Sequence, residues 1–319
     1  MMLLPPIPAG NSSEKSATDS LRFRADGCFT IAQLTDIHWH DDRESQLRTR
    51  SLIERVLDCE RPDLVVLTGD VIDGSRCGDP AVSWREAVHA IDARAIPWAT
   101  VLGNHDDEGS LTRRALMAID QTCPWSRSES GPADLPGVGN YVLAIEGSQS
   151  SQPRAVLYFL DSRGYVASDP ECRYAGISVE QVNWFRSLSR GVEMRWGAAG
   201  LVGLVFFHMP LDEYAAAFES GLVHGQMREP VCGAPENSGL FGAIREVRHV
   251  AGAFAGHDHL NDFEASLEGV RLCYGRVSGY GGYGREDVMA GARIIQLREG
   301  SADFDTWLRL DDGTISKRA

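Results

Sequence analysis

Short apolar runs alternate with longer segments of helical periodicity in the first third of the chain. Runs typical of buried strands occupy residues 29–34, 64–67 and 97–102. Between them, apolar residues recur at helical spacing over residues 44–59 and again near 80–94. This order predicts a β-α-β-α-β arrangement. Because the strands are apolar throughout, we expect a sheet that is covered on both faces.

The remainder of the chain is richer in strands. Residues 123–140 contain many Ser, Gly and Pro residues and predict a long surface loop. Further strands are predicted at 140–146, 155–160, 201–207, 251–255, 263–265, 270–274, 293–297 and 304–310, with helices at about 178–190 and 238–248. Two packed sheets with helices outside them fit this order better than one open sheet.

Five of the predicted strands end at residues that bind metals or transfer protons. The five motifs are Asp36-Ile37-His38, Gly69-Asp70, Gly103-Asn104-His105-Asp106, His208 and Gly256-His257-Asp258-His259. A lone D-x-H or G-D motif is more often a turn or a cap than a ligand. Together, at the strand edge where ligands bind in α/β sheets, the five motifs indicate a hydrolase with two metals. Carboxylate, amide and imidazole ligands suit Mn, Fe or Zn.

The order of these motifs resembles that of the calcineurin-like metallophosphoesterase superfamily from about residue 29 to 275. The segments 206–214 and 256–263 further resemble the subgroup of the fungal size-control phosphatase and the plant purple-acid-phosphatase-29-like proteins. The resemblance implies an α/β fold (α+β in some schemes), a four-layer αββα sandwich in which helices flank two mixed β-sheets. We expect one such domain over residues 22–319, after a disordered leader over residues 1–21.

The resemblance also implies a role for each site residue. One metal would be held by Asp36, His38, Asp70 and His259, and the other by Asp70, Asn104, His208 and His257. His105 would act as the general acid, with Asp106 orienting its imidazole, while a hydroxide that bridges the metals attacks phosphorus. We expect Asp107 and Glu108 to begin the following helix, where carboxylates favour the helix dipole.

Three positions depart from better-known branches of the superfamily. Purple acid phosphatases have a tyrosine three residues after the bridging aspartate, where this chain has Asp73. The Ser/Thr protein phosphatases have arginines where this chain has Gly74 and Leu102. We therefore expect a site that is not purple and lacks that phosphate clamp. Candidate substitutes for substrate contact, in and around the glycine-rich stretch 275–284 and after the strand at 155–160, are Arg163, Arg276, Tyr280 and Arg285.

Composition sets outer bounds on location and partners. The 319 residues carry a formal net charge of -14, which makes nucleic acid an unlikely partner. Seven scattered cysteines without a C-x-x-C pair predict reduced, mostly buried thiols. The N-terminus lacks a basic region and no run is long enough to span a membrane, so we expect a cytoplasmic protein without membrane contact.

The expected activity is hydrolysis of a phosphomonoester, in a small phosphorylated substrate or a phosphoprotein. Two alternatives stay open: a phosphodiesterase of the same superfamily, and a scaffold that binds metal but has lost turnover.

Overall fold

The computed structural model describes residues 20–166, 171 and 173–317. Most of the leader expected over residues 1–21 therefore lies outside the described residues. Its last residue belongs to a short strand, β1 (Leu21–Arg22), which pairs with a strand near residue 145.

The helices and strands follow the predicted order. The α-helices of the described chain are α1 (Arg43–Glu60), α2 (Pro80–Asp92), α3 (Arg113–Asp120), α4 (Val179–Trp196), α5 (Glu213–Glu219) and α6 (Leu240–Arg245). The strands after β1 are β2 (Cys28–Leu34), β3 (Leu64–Thr68), β4 (Trp98–Val101), β5 (Tyr141–Gly147), β6 (Ser150–Phe159), β7 (Val202–Phe206), β8 (Val223–His224), β9 (Val250–Ala255), β10 (Glu264–Leu267), β11 (Val270–Tyr274), β12 (Gly291–Arg298), β13 (Phe304–Leu310) and β14 (Ile315–Lys317).

The strands form two mixed sheets. The six-stranded sheet has the order β14-β13-β12-β2-β3-β4, in which β2, β3 and β4 are parallel. The eight-stranded sheet has the order β1-β5-β6-β7-β9-β11-β10-β8, in which β6, β7, β9 and β11 are parallel. The parallel strands are neighbours in each sheet, on one side of the six-stranded sheet and at the centre of the eight-stranded one, so their carboxyl ends form one continuous edge per sheet.

Alternate side chains of each central strand enter different apolar layers. In β3, Leu64 and Val66 pack between the two sheets, whereas Val65 and Leu67 pack against α1 and α2. In β7, Leu204 packs between the sheets, and a third layer lies between this sheet and α4 to α6. Three apolar layers separate four layers of structure, which confirms the predicted sandwich of two mixed sheets flanked by helices.

Polar caps fix where the long helices begin. The Asp42 carboxylate accepts a hydrogen bond from the Ser45 amide at the start of α1, at 3.0 Å. Helix α4 begins with a capping box, in which Ser178 and Gln181 each bind the other's backbone amide. Gln181 also donates 2.7 Å hydrogen bonds to the Asn140 side chain and the Asp161 carbonyl. The start of α4 is thereby tied to the end of β6.

Several details differ from the prediction, and short elements account for most of them. Helices α3 and α5 have eight and seven residues, too few for a clear helical period in the sequence. The helix expected over 238–248 forms only as Leu240–Arg245, because Gly239 adopts a left-handed conformation before it and leaves no side-chain cap. Residues 107 and 108 do not begin a helix, since α3 starts at Arg113 behind its cap Thr112.

The expectation of mostly buried cysteines is wrong. Among the cysteines that the structure describes, Cys273 is buried, whereas Cys59 and Cys232 are exposed and the others are half-buried. Within the same residues, no helix combines the length and the apolar character that a bilayer crossing requires.

A buried carboxylate joins the helical layer to the six-stranded sheet. Asp120 accepts hydrogen bonds from the indole nitrogens of Trp84 at 3.1 Å and Trp98 at 2.9 Å, and from the Ser126 hydroxyl at 2.5 Å. Because the Asp120 carboxylate and both indoles are buried, these hydrogen bonds satisfy polar groups that water does not reach.

We predict that Asp120→Ala lowers the free energy of unfolding by about 3 kcal/mol, because it leaves two buried indole donors without an acceptor. Urea unfolding followed by tryptophan fluorescence measures the change. Asp134→Ala, at an exposed loop position, is the matched control and should change the unfolding free energy by less than about 0.5 kcal/mol. Equal losses in the two variants would show that the indole contacts contribute little.

Candidate metal centre

Each predicted metal ligand follows the carboxyl end of a parallel strand. Strands β2, β3 and β4 of one sheet end before Asp36, Asp70 and Asn104, and strands β7 and β9 of the other end before His208 and His257. The two sheets bring these ends to a common edge. All seven ligand side chains are buried, none exposing more than 9% of its surface.

A first cluster contains Asp36, His38 and His259. The Nε2 atoms of His38 and His259 lie 3.1 Å apart, and His259 Nε2 lies 3.5 Å from an oxygen of Asp36. Two imidazole nitrogens and a carboxylate oxygen thus face one small space. This donor set suits a borderline divalent cation.

A second cluster contains Asp70, His208 and His257, with Asn104 beside them. The Nε2 atom of His208 lies 3.1 Å from Asp70 Oδ2, 3.1 Å from Asn104 Oδ1 and 3.3 Å from His257 Nδ1. One carboxylate, one amide oxygen and two imidazoles therefore converge. The sequence placed these same four residues on one metal.

Asp70 faces both clusters through a single oxygen. Its Oδ2 atom lies 3.1 Å from His208 Nε2 in the second cluster and 3.6 Å from His38 Nε2 in the first. Its other oxygen accepts the His105 amide at 2.8 Å, which fixes the orientation of the carboxylate. The geometry is that of a carboxylate shared between two neighbouring cation sites.

The backbone at the ligands is strained. Asp36, His38, Asp70 and His257 have φ values of 54°, 48°, 50° and 75°, in the left-handed region that residues with side chains rarely adopt. Such strain persists only where the surrounding structure enforces it, and it is common at functional sites. The left-handed conformation directs these four side chains from the strand ends into the site.

A second layer of hydrogen bonds orients the ligands. His208 donates from Nδ1 to the Thr68 carbonyl at 2.8 Å, and His259 donates from Nδ1 to the Tyr283 carbonyl at 2.7 Å. In both histidines this leaves Nε2 as the atom that faces the cluster. Asp36 accepts the Thr35 hydroxyl at 2.8 Å and the His257 amide at 3.0 Å. Contacts of this kind set the tautomer and the ring orientation of metal ligands.

The charge state of these groups suits cation binding. Burial lowers the pKa of His38 to about 4 and that of His257 to about 3, so both rings are neutral near pH 7. Burial alone would raise the pKa of Asp70, but the neighbouring His208 outweighs it and holds that pKa well below its usual range. Burial would also lower the pKa of His208 and of His259, but the charges of Asp70 and Asp36 outweigh it and raise both, that of His208 to about 9. Because a metal ligand must be deprotonated, a bound cation would displace a proton from each of these two rings. The residues therefore fit a pair of metal ions.

The predicted role of Asp106 as the partner of His105 is wrong. The Asp106 carboxylate accepts hydrogen bonds from the backbone amides of Gly103 at 2.7 Å, Ile72 at 3.0 Å and Asp70 at 3.1 Å, so it holds two ligand loops together. The Nδ1 atom of His105 instead lies 2.7 Å from Glu108 Oε2. Because no helix starts at residue 107, the chain turns back and brings Glu108 beside His105.

Three of the four residues predicted to contact the substrate are held by other groups of the protein. Arg276 is buried, pairs with Asp262 at 2.7 Å and donates to the Met289 carbonyl at 2.6 Å. The Tyr280 hydroxyl donates to Asp311 at 2.5 Å, and the Arg48 guanidinium covers the Tyr280 ring at 3.8 Å. Arg163 donates to the carbonyls of residues 175 and 176 at 2.8 and 2.7 Å. These contacts correct the prediction, because each side chain is held by protein groups.

Arg285 is exposed and pairs with Asp287 at 3.0 Å. The glycine-rich stretch around it nevertheless reaches the site. A Cβ atom at Gly282 would lie 2.5 Å from His259 and 2.7 Å from His38, and one at Gly281 would lie 1.9 Å from the His38 carbonyl. Only glycine permits so close an approach. The stretch contributes Tyr283, whose ring stacks on that of His259 with centroids 3.9 Å apart.

The positions that depart from other branches of the superfamily have other uses here. A Cβ atom at Gly74 would lie 2.7 Å from the Asp106 carbonyl, so this position has no room for a side chain. Asp73 accepts the Ser75 hydroxyl at 2.7 Å and lies 3.7 Å from Arg76. The sequence pattern did not single out Arg113, whose half-buried guanidinium donates to the carbonyls of Leu102 and Gly103 and pairs with Asp107 at 2.9 Å. It braces the loop that carries Asn104.

Comparisons with known proteins agree with this geometry. Residues 29–261 match the calcineurin-like phosphoesterase family. The chain is 34% identical to "Probable inactive purple acid phosphatase 29" of Arabidopsis thaliana, over 99% of this chain and 89% of the relative. It is 33% identical to "Phosphatase DCR2" of Saccharomyces cerevisiae, over 90% of this chain and 54% of the relative. These relatives confirm the predicted subgroup.

Among solved structures, a dimetal phosphatase from Danio rerio has the same fold, with a TM-score of 0.58 at 17% identity, covering 87% of this chain and 98% of that one. The family match spans every residue of the two clusters, from Asp36 to His259. The chain belongs to the calcineurin-like phosphoesterase family.

Proposed function

We propose that the protein is a metal-dependent phosphatase that hydrolyses phosphomonoesters, with His105 as the general acid. The observation that carries the proposal is the position of Asp70, which shares one oxygen between two complete ligand clusters. A pair of Mn, Fe or Zn ions in these clusters would neutralise charge on the phosphoryl oxygens and lower the pKa of a water. Family membership supports a hydrolase, and the ligand set supports two ions.

His105 lies where it can protonate a leaving group beside the first cluster. Its ring centroid is 5.1 Å from that of His38, and it is half-buried at the mouth of the site. Since its Nδ1 atom is paired with Glu108, Nε2 is the atom that can donate to a substrate. Burial alone would lower the pKa of His105, but the charges of Asp70 and then Glu108 outweigh it and raise that pKa. The protonated ring is therefore favoured near neutral pH.

Crowding around the clusters favours monoesters over diesters. The Tyr174 ring meets the His257 ring edge to face at 5.0 Å, and the Tyr283 ring covers His259 at 3.9 Å. Both tyrosines flank the ligands. A diester would have to place a second organic group beside one of these rings, whereas a monoester need not.

A scaffold without turnover is the second candidate, because the Arabidopsis relative is named a probable inactive phosphatase. Against it, this chain keeps seven ligand side chains in two converging clusters together with the His105–Glu108 pair.

Mn-loaded wild-type protein should hydrolyse 4-nitrophenyl phosphate, and bis(4-nitrophenyl) phosphate more slowly. Metal-loaded, folded protein without turnover of either ester would favour the scaffold.

We predict that His105→Ala retains its metal but loses about 10²- to 10⁴-fold in kcat on an alkyl phosphate, since a poor leaving group needs a proton from a general acid. The loss on 4-nitrophenyl phosphate should be much smaller, because that leaving group departs as an anion. Steady-state kinetics on both esters, with metal content measured in parallel, provide the check. Equal losses on the two substrates would contradict the role of His105.

We predict that Glu108→Gln lowers the pKa of His105, because a negative charge that favours the protonated ring is removed. The general acid works only when protonated, so activity on an alkyl phosphate falls as pH rises through that pKa. The basic limb of the pH profile of kcat/KM should therefore move to lower pH, with activity at pH 8 falling about 10-fold. Glu219→Gln, at an exposed position of α5, is the control. An unmoved basic limb would exclude the pairing of Glu108 with His105 during catalysis.

A further inference from the structure

A short hairpin after β6 lies beside the second cluster and has no role in holding metal. Its arms pair through hydrogen bonds from the Val166 amide to the Arg173 carbonyl at 2.8 Å and from the Ala175 amide to the Gly164 carbonyl at 2.9 Å. We call residues 163–166 and 173–176 the hairpin arms. Their only cross-strand bridge among the described residues joins Tyr165 to Tyr174.

The hairpin arms are firmly anchored to the site. Arg163 links them by donating to the carbonyls of residues 175 and 176, and its own amide donates to the buried Asp161 at 2.8 Å. A Cβ atom at Gly164 would lie 3.8 Å from the Cα atom of Asn104, so this arm packs against the ligand loop. These contacts fix the position of Tyr165 relative to the metal ligands.

The two tyrosines form a stacked pair that leads away from the second cluster. The Tyr174 ring meets His257 at 5.0 Å, and the Tyr165 ring stacks on Tyr174 with centroids 5.1 Å apart and planes 29° apart. The Asn104 amide donates to the Tyr165 hydroxyl at 3.4 Å. Although it is tethered at the hydroxyl and stacked on one side, Tyr165 exposes 39% of its surface. The two tyrosine rings thus form a rigid aromatic surface that begins at a metal ligand and ends at the solvent-exposed Tyr165.

The charges beside this surface restrict what can bind. Glu108, which pairs with His105, and Asp107, which pairs with Arg113, lie on the neighbouring loop. The arginines of this edge are engaged elsewhere: Arg163 donates to carbonyls, Arg113 pairs with Asp161, and Arg173 lies 3.5 Å from Glu171. An anionic leaving group would meet carboxylates here, whereas a neutral aromatic ring would gain stacking contact.

We infer that Tyr165, backed by Tyr174, forms a subsite for the leaving group of the substrate, and that this group carries a neutral aromatic ring. The inference rests on the proposed phosphatase function and names its substrate class. The ester oxygen would lie between His105 and the clusters, with the ring against Tyr165. Stacking on a preformed, anchored surface adds affinity at small entropic cost.

Benzyl phosphate and cyclohexylmethyl phosphate provide a matched pair of substrates. Both release a primary alcohol of similar acidity, and they differ in whether the six-membered ring is aromatic. We expect the Mn-loaded wild-type protein to favour benzyl phosphate by about 5-fold in kcat/KM, the size of one aromatic contact. The ratio should fall to about one in Tyr165→Leu and persist in Tyr165→Phe, which keeps the ring.

Tyr280→Leu is the matched control, because Tyr280 is held by Asp311 and Arg48. Its ratio of kcat/KM for benzyl phosphate to kcat/KM for cyclohexylmethyl phosphate should equal that of the wild type. A wild-type ratio near one, or equal losses in Tyr165→Leu and Tyr280→Leu, would overturn the subsite.

Direct binding separates this inference from the proposed function. Benzylphosphonate and cyclohexylmethylphosphonate have a carbon–phosphorus bond in place of the ester and cannot be hydrolysed there. Calorimetry should show that the wild type binds benzylphosphonate more tightly and that Tyr165→Leu binds both equally. Tighter binding of benzylphosphonate by a protein that turns over no ester would support the subsite and contradict the phosphatase function. Turnover by a protein that binds both phosphonates equally would support the phosphatase function and contradict the subsite.

Discussion

The shared Asp70 carboxylate is the constraint around which the site is built. One of its oxygens lies within 3.6 Å of imidazole nitrogens from both clusters, and its other oxygen is fixed by the His105 amide. A carboxylate can face both clusters only if the two sheets end at the same level and Asp70 turns into a left-handed conformation. Asp106 secures that turn by binding the amides of Asp70 and Gly103 together. The cost of the strained backbone is offset by a fold whose apolar layers are complete on both sides of each sheet.

The sequence predicted most of the fold and the strand ends at which the candidate ligands lie, because both depend on local, periodic signals. Apolar runs such as 64–67 locate strands wherever they occur, and a polar residue at the end of such a run lies at the sheet edge by geometry alone. Helix α5 escaped prediction, and α3 was expected to begin at Asp107 and not at Arg113, because two turns hardly establish a period. The length of α6 was overestimated, since the conformation of Gly239 is set by its surroundings.

Residues around the ligands were harder to predict, because their roles depend on contacts between distant segments. Asp106 and Glu108 differ by two positions and carry the same charge, so only the turn of the chain decides which one meets His105. Arg276 and Arg163 are ordinary arginines in the sequence, and their burial against Asp262 and backbone carbonyls is visible only in the folded chain. The glycine at 282 gave a clearer signal, since a run of glycines beside tyrosines suggests close approach to another segment. Tyr283, and not Tyr280, is the tyrosine of that run which contacts a ligand.

The account depends most directly on Asp70 serving two metal ions at once, and metal content measures this. Wild-type protein equilibrated with Mn and freed of excess metal should hold two ions per chain, and a chelator should lower its thermal midpoint because the ions bind only the folded protein. Asp70→Asn should lose both ions and become insensitive to the chelator, whereas Asp73→Asn, three residues away, should keep both. A protein that still holds one tightly bound ion after Asp70→Asn, or that holds a single ion in the wild type, would contradict a shared dimetal centre.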